Sequence, residues 1–123
     1  MSEHLRRNVA SVIVACLENE GVEYVFGLPG EENLHMIDAL AASSIRFVTT
    51  RDERGAAFMA DTYGALTGRA GVCLATLGPG AINLMLGIAN AQLDSHPLVA
   101  IAAQASLDRI YKESHQFLSL IHI

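Results

Sequence analysis

One carboxylate among small residues is the sharpest chemical feature of the chain. Glu53 stands in the run Arg51-Asp52-Glu53-Arg54 and is followed by Gly55-Ala56-Ala57-Phe58-Met59-Ala60. Residues that small let a helix lie tightly against another surface, so Glu53 is expected in a dry crevice. A carboxyl group there can exchange a proton with a ring nitrogen of a bound ligand. A carboxylate at a helix start also serves simply to compensate the helix dipole. Two glycine-bearing loops, Gly27-Leu28-Pro29-Gly30 and Gly78-Pro79-Gly80, allow backbone to approach a ligand or a neighbouring subunit closely. They are equally the turns that any alternating strand–helix chain needs. His115-Gln116, preceded by Lys112 and Glu113, is a second polar pair. Other chemistries lack their residues. Neither Gly-x-Gly-x-x-Gly nor Gly-x-x-x-x-Gly-Lys occurs. Ser43, Ser44 and Ser106 have no histidine–acid partners for a triad, and no His/Cys/Asp/Glu spacing suits a metal.

The elements that must position these residues alternate in type. Leu5, Val9, Val12, Ile13, Cys16 and Leu17 recur at helical steps until Gly21 ends the run. Tyr24-Val25-Phe26 reads as a strand, Leu34, Ile37 and Leu40 as a helix, and residues 45–50 as a second strand. A helix over 53–67, a strand over 71–76, a helix over 81–93 and a strand over 98–103 complete the pattern. Three of the four strands are near-continuous apolar runs, which a parallel sheet covered on both faces by right-handed crossovers requires. The expected fold is therefore α/β, a three-layer α/β/α arrangement with a parallel sheet and helices on both faces. Ligands bind such sheets beyond the carboxyl ends of the strands. The loop after the first strand, Glu53 after the second and Gly78-Pro79-Gly80 after the third all fall there.

Composition narrows the partners. The 123 residues suit one domain, but 51% are hydrophobic and only 17% charged, so some apolar surface is expected to be covered by something else. A net charge of −5, a single lysine and no basic run leave no electrostatic footprint for nucleic acid or an anionic membrane. No apolar run reaches the roughly 18 residues of a membrane span, and the start lacks the apolar core of a signal peptide. Cys16 and Cys73, both inside apolar stretches, are expected as buried free thiols of a reducing cytoplasm. His4 and His35 read as surface residues and His96 as a turn residue.

Four runs carry a family resemblance. They are Val25-Phe26-Gly27-Leu28-Pro29-Gly30-Glu31, Arg51 through Ala60 as quoted above, Leu77-Gly78-Pro79-Gly80-Ala81-Ile82-Asn83-Leu84 and Ser114-His115-Gln116. In that order and spacing they resemble the N-terminal pyrimidine-binding domain of thiamine-diphosphate-dependent enzymes, above all the acetolactate synthase large subunit. The likeness covers nearly the whole chain.

The resemblance implies that Glu53 is the cofactor-activating glutamate. Its carboxyl group would hydrogen-bond the N1′ nitrogen of the aminopyrimidine, favouring the 4′-imino tautomer that takes the C2 proton of the thiazolium and leaves the nucleophilic ylide. Pro29 and Gly30 match the loop beside the pyrimidine. Asn83 matches an asparagine lining the cofactor and subunit interface. His115 and Gln116 match a polar pair facing the reacting carbon, where Gln116 would orient the substrate. Asp52 stands where many relatives have histidine, Ile82 where threonine is common and Ala65 where arginine is frequent. These departures spare the glutamate and loosen the substrate assignment. No Gly-Asp-Gly occurs, the motif with which the family's separate C-terminal domain holds the diphosphate and Mg²⁺. The chain would thus supply half of a site lying between two subunits.

The implied function is that of an N-terminal fragment of a 2-oxo acid carboligase, acetolactate synthase, which decarboxylates pyruvate and joins the two-carbon unit to a second 2-oxo acid. Glyoxylate carboligase, another thiamine-diphosphate decarboxylase, and a non-catalytic split-subunit module are the alternatives. The full-length parent is expected to be a cytoplasmic homodimer or tetramer acting on small 2-oxo acids, with FAD as an optional further cofactor, and the chain alone is expected to be inactive. Residues 1–117 read as a partial pyrimidine-binding domain. Leu118-Ser119-Leu120-Ile121-His122-Ile123 matches one translated frame of a transposon-end adapter used for sequencing libraries, so 118–123 are expected to be a non-native tail.

Overall fold

In the computed structural model, residues 8–106 and 108 are described. Asn8 opens the first helix, α1 (Val9–Asn19), by accepting a hydrogen bond from the Ser11 N–H at 2.8 Å, which satisfies one of the free donors of the first turn. The chain then runs through β1 (Tyr24–Gly27), a single 3₁₀ turn (Glu31–Asn33), α2 (Leu34–Ala41), β2 (Arg46–Thr49), α3 (Glu53–Thr67), β3 (Gly71–Ala75), α4 (Pro79–Leu93) and β4 (Leu98–Ala102). The strands form one parallel sheet in the order β2-β1-β3-β4.

The direction of travel reverses at β2. The chain steps from β1 outward to β2, then returns past β1 to β3 and on to β4. Right-handed crossovers turn that reversal into a change of face. Accordingly α1 and α2 pack together on one side and α3 and α4 on the other. Alternate residues of the strands feed the two sides. Val25, Val72 and Leu74 join Val14, Leu40 and Ile45 in one core. Cys73 and Ala75 join Ala56, Ala57, Ala60 and Leu84 in the other. Full burial of side chains such as Leu40, Leu74 and Val25 contributes about 1.5–3 kcal/mol each. The second core is built largely of alanine, so its helices lie close to the sheet and to each other. This is the three-layer α/β/α arrangement the alternation predicts.

Two expectations about burial need correction. Cys73 is buried, and burial pushes its thiol up to about 12, but Cys16 is exposed. Helix α1 is apolar nearly all round. Its contacts select Ala10, Val14 and the half-buried Leu17, which leaves Val9, Val12 and Cys16 on the outer side. Strand β4, read as a fully covered run, has Val99, Ala100 and Ala102 exposed, because β3 is its only hydrogen-bonded neighbour among the described residues.

His96 is more than a turn residue. Asp61 of α3 is 4% exposed; His96 Nδ1 lies 2.7 Å from its Oδ1, and Asn90 Nδ2 donates to its Oδ2 at 2.8 Å. The hydrogen bond with His96 holds the Asp61 carboxyl below its ordinary value, helped by Asn90 and opposed by burial. A carboxyl whose value is depressed by folding stabilises the fold above its unfolded value. That contribution is lost as pH falls through the folded value. Asp61→Asn, which keeps the shape and removes the charge, is therefore expected to cost about 1–3 kcal/mol near neutral pH in urea unfolding. The gap from the unmodified chain should narrow progressively below the ordinary carboxylate range. A gap that stayed constant down to acid pH would rule out this role.

Candidate active site

Three strand ends meet at one place. Past Gly27 the loop Leu28-Pro29-Gly30 is tied down at both ends by Asn33. The Gly30 N–H donates to Asn33 Oδ1 at 2.9 Å, and Asn33 Nδ2 donates to the Leu28 carbonyl at 3.0 Å. Asn33 is buried, so the loop is held from beneath. Thr50 links the next strand end to the first: its backbone N–H donates to the Gly27 carbonyl at 2.9 Å, and its hydroxyl donates to the Asp52 carbonyl at 3.0 Å.

Asp52, the departure from the family pattern, has a local task. Its side chain caps α3 by accepting from the Arg54 N–H at 2.9 Å, and it binds the Arg54 guanidinium through both oxygens. Those bonds hold the Asp52 carboxyl down at about 2, so the cap stays charged at any ordinary pH. Capping at Asp52 makes Glu53 the first residue of the helix, where its side chain projects over the carboxyl end of the sheet. It is half-buried, more open than the dry crevice expected of it.

The third strand end supplies Thr76 and the start of α4. Gly78 adopts φ +57°, a conformation most residues avoid, and so lets the chain turn sharply into Pro79 at the first helical position. One turn into the helix, Asn83 Nδ2 donates to Glu53 Oε2 at 3.0 Å. At Gly80 these parts pack too closely for a side chain. A Cβ there would lie 2.8 Å from Thr76 Oγ1 and 3.3 Å from Glu53 Oε1, and one at Gly30 would lie 2.4 Å from Thr76 Cγ2.

The result is a cleft of about 280 Å³ lined by Leu28, Pro29, Gly30, Glu31, Glu32, Glu53 and Thr76. Among the described residues, three carboxylates and no basic side chain line it, which suits a heterocycle carrying hydrogen-bonding nitrogens or positive charge and disfavours a phosphate group. An aminopyrimidine joined to a cationic ring fits that lining. Its diphosphate does not.

Of the residues singled out in the sequence, Pro29, Gly30 and Glu53 line the cleft, and Asn83 reaches it through Glu53. His115, Gln116, His4 and residues 118–123 lie outside the described residues. Sequence reasoning passed over Asn33 and Thr76. The Gly30-x-x-Asn33 spacing is that of a side chain folding back on a turn and could have found the first. Nothing local marks Thr76. Among the described residues no group of three or more His, Cys, Asp or Glu side chains could hold a metal ion, and no helix is long and apolar enough to cross a membrane.

Comparison with known proteins places the chain in a family. The profile of the family described as thiamine pyrophosphate enzyme, N-terminal TPP binding domain, matches residues 7–122. The chain is 42% identical over 118 residues to acetolactate synthase, chloroplastic, of Arabidopsis thaliana, covering 95% of the chain and 18% of that protein. It is 43% identical over 107 residues to the probable acetolactate synthase large subunit of Methanocaldococcus jannaschii, covering 87% of the chain and 18% of that protein. To the acetolactate synthase isozyme 2 large subunit of Escherichia coli K12 it is 44% identical over 109 residues, covering 89% of the chain and 20% of that protein. The chain thus spans about a fifth of the length of these relatives. With a family match over residues 7–122, nearly its whole length, the chain belongs to the thiamine pyrophosphate enzymes, as their N-terminal TPP-binding domain.

Proposed function

We propose that the chain is the pyrimidine-binding part of an acetolactate synthase, which decarboxylates pyruvate and joins the two-carbon unit to a second 2-oxo acid. The observation that carries this reading is Glu53, held by Asn83 at the edge of a cleft that the loop Leu28-Pro29-Gly30 and Thr76 also line. Bound thiamine diphosphate supplies the electron sink for removing CO₂ from a 2-oxo acid. The chain's own residues do the rest of the work on this side of the site. Glu53 would exchange a proton with a ring nitrogen of the bound cofactor, the loop Leu28-Pro29-Gly30 would offer backbone to the ring, and Thr76 would bound the space. His115 and Gln116 orient the substrate. The acidic lining supports a diphosphate held elsewhere, with Mg²⁺, by a separate domain. FAD is an optional addition in the full-length parent.

The same reading makes the parent a homodimer or tetramer. Its support is an apolar outer side on α3 and α4, where Phe58, Met59, Ile82, Met85 and Leu86 are exposed, the last two to 51% and 59%. Sedimentation of the full-length parent as a monomer would overturn this. A reducing, cytoplasmic setting accords with the two unpaired thiols.

Incubating the full-length parent with pyruvate, thiamine diphosphate and Mg²⁺ tests the activity. The expected product is 2-acetolactate with release of CO₂. Consumption of glyoxylate with no acetolactate from pyruvate would transfer the assignment to glyoxylate carboligase.

A further inference from the structure

Two side-chain amides of α4 reach across to carboxylates of α3. Asn83 Nδ2 donates to Glu53 Oε2 at 3.0 Å, and Asn90 Nδ2 donates to Asp61 Oδ2 at 2.8 Å. Between them Gly87 lies so close to Ala57 that a Cβ on it would come within 2.5 Å of the alanine Cβ. Positions 53, 57 and 61 face positions 83, 87 and 90, the spacing of a single side on each helix. One seam carries both bonds, and only its first end borders the cleft.

Chemistry at that end is asymmetric. An amide N–H can only donate, so the carboxyl oxygen it meets must accept. When Glu53 carries a proton, its carbonyl oxygen is the stronger acceptor, so the bond from Asn83 favours Oε2 as the carbonyl and the proton on Oε1. Oε1 is also the oxygen beside Gly80, 3.3 Å from where a Cβ would stand, and Glu53 and Thr76 both line the cleft. The charged groups around it do not compete with Asn83 for Oε2. Glu31 and Glu32 of the 3₁₀ turn line the cleft and cannot donate as carboxylates, and Asp52 engages the Arg54 guanidinium through both of its oxygens. The end of β3 contributes Thr76, and α4 faces Glu53 with the uncharged Asn83.

We propose that Asn83 is a positioning residue and not a ligand of the cofactor: by holding Oε2 of Glu53 as an acceptor, it assigns the exchanging proton to Oε1, the oxygen on the side of Thr76 and Gly80. The inference rests on the proposed role of Glu53. The proton passes between Oε1 and the ring nitrogen, and nothing else is transferred.

The test uses the full-length parent with thiamine diphosphate and Mg²⁺ and reads two quantities besides turnover: the cofactor's dissociation constant, and the rate at which the bound cofactor exchanges its C2 hydrogen for deuterium at saturation. Asn83→Asp keeps the shape and turns the donor into an acceptor. It is expected to slow exchange by at least about tenfold, with recovery as pH is lowered and the new carboxyl gains a proton to donate. Asn83→Ala should slow exchange by a similar factor without that recovery, and it carries the test if the first variant does not fold. Neither should change the dissociation constant by more than about threefold. Asn90→Ala, which removes the corresponding bond at the far end of the seam, should lower Tm and leave exchange within about twofold. Unchanged exchange in the Asn83 variants would overturn the proposal. So would cofactor binding weakened more than about tenfold with normal exchange at saturation, which would make Asn83 a ligand. An equal loss in Asn90→Ala would reduce Asn83 to packing. Glu53→Gln separates the two readings, because normal exchange in that variant defeats the role of Glu53 itself, whatever Asn83 does.

Discussion

Replacing Glu53 by glutamine in the full-length parent is expected to lower turnover by about 100- to 10,000-fold, the range that a positioned acid–base group contributes. Glutamine has nearly the same shape, and its carbonyl oxygen can still accept the hydrogen bond that Asn83 donates to Glu53. It then places an NH₂ group where Oε1 stood, on the side of Thr76 and Gly80. That group donates to a ring nitrogen but cannot pass it a proton at ordinary pH, so binding is kept and the exchange is lost. The cost to the fold is small. Glu53 is the first residue of α3, and removing its charge from that helix end forfeits about 0.3–1 kcal/mol. Steady-state kinetics beside thermal melting separate the two effects. Turnover within a few-fold of normal would show that Glu53 does not relay the proton.

The largest structural effect is expected from Gly71→Ala. A Cβ on Gly71 would lie 1.9 Å from the carbonyl oxygen of Ala60 and 2.6 and 2.8 Å from its carbonyl carbon and Cα. These are backbone atoms in the middle of α3, so no rotamer change relieves the clash. Either α3 lifts from the sheet or β3 gives up its pairing with β4, whose first partner for Gly71 is Leu98. Overpacking of this kind costs about 3 kcal/mol or more. The variant should be largely insoluble, or its urea midpoint should fall steeply with little change in slope. An unchanged midpoint would mean that α3 does not lie on the sheet this closely. Gly87→Ala is milder in kind, since its nearest contact is the side-chain methyl of Ala57, but that methyl and the Ala57 backbone carbon, 2.5 and 2.8 Å away, still force the seam open.

Much of this arrangement could be read from residue order. The switch between three-to-four-residue periodicity and short apolar runs such as Gly71-Val72-Cys73-Leu74-Ala75 announces alternating helices and buried parallel strands. Once the strands are parallel, Gly30, Glu53 and Gly78 must share an edge, so the convergence of the site follows from topology. The rest depends on choices that no local pattern records. Helix α1 has apolar residues on several sides, and only packing decides that Val14 faces inward and Cys16 outward. Asn83 finds Glu53 across 30 residues, and His96 finds Asp61 across 35. The first pairing depends on how closely α3 and α4 approach at Ala57 and Gly87, the second on how closely Gly64 lets the segment at Pro97 approach α3, and neither depends on the partners' own neighbours in sequence.

The seam between α3 and α4 also limits how the site can move. Its two amide–carboxylate bonds, Asn83 to Glu53 and Asn90 to Asp61, lie two helical turns apart with the Gly87–Ala57 contact between them. Sliding one helix along the other by a single residue, about 1.5 Å, would break both bonds at once. Parting at one end can spare the other. Glu53 therefore has no gradual path along the helix axis: it stays in register with Asn83, or the near end of the seam opens like a hinge about the far one. Any conformational step that carries the carboxylate toward or away from a ligand should then leave the amide protons around Asp61 as slow to exchange as before.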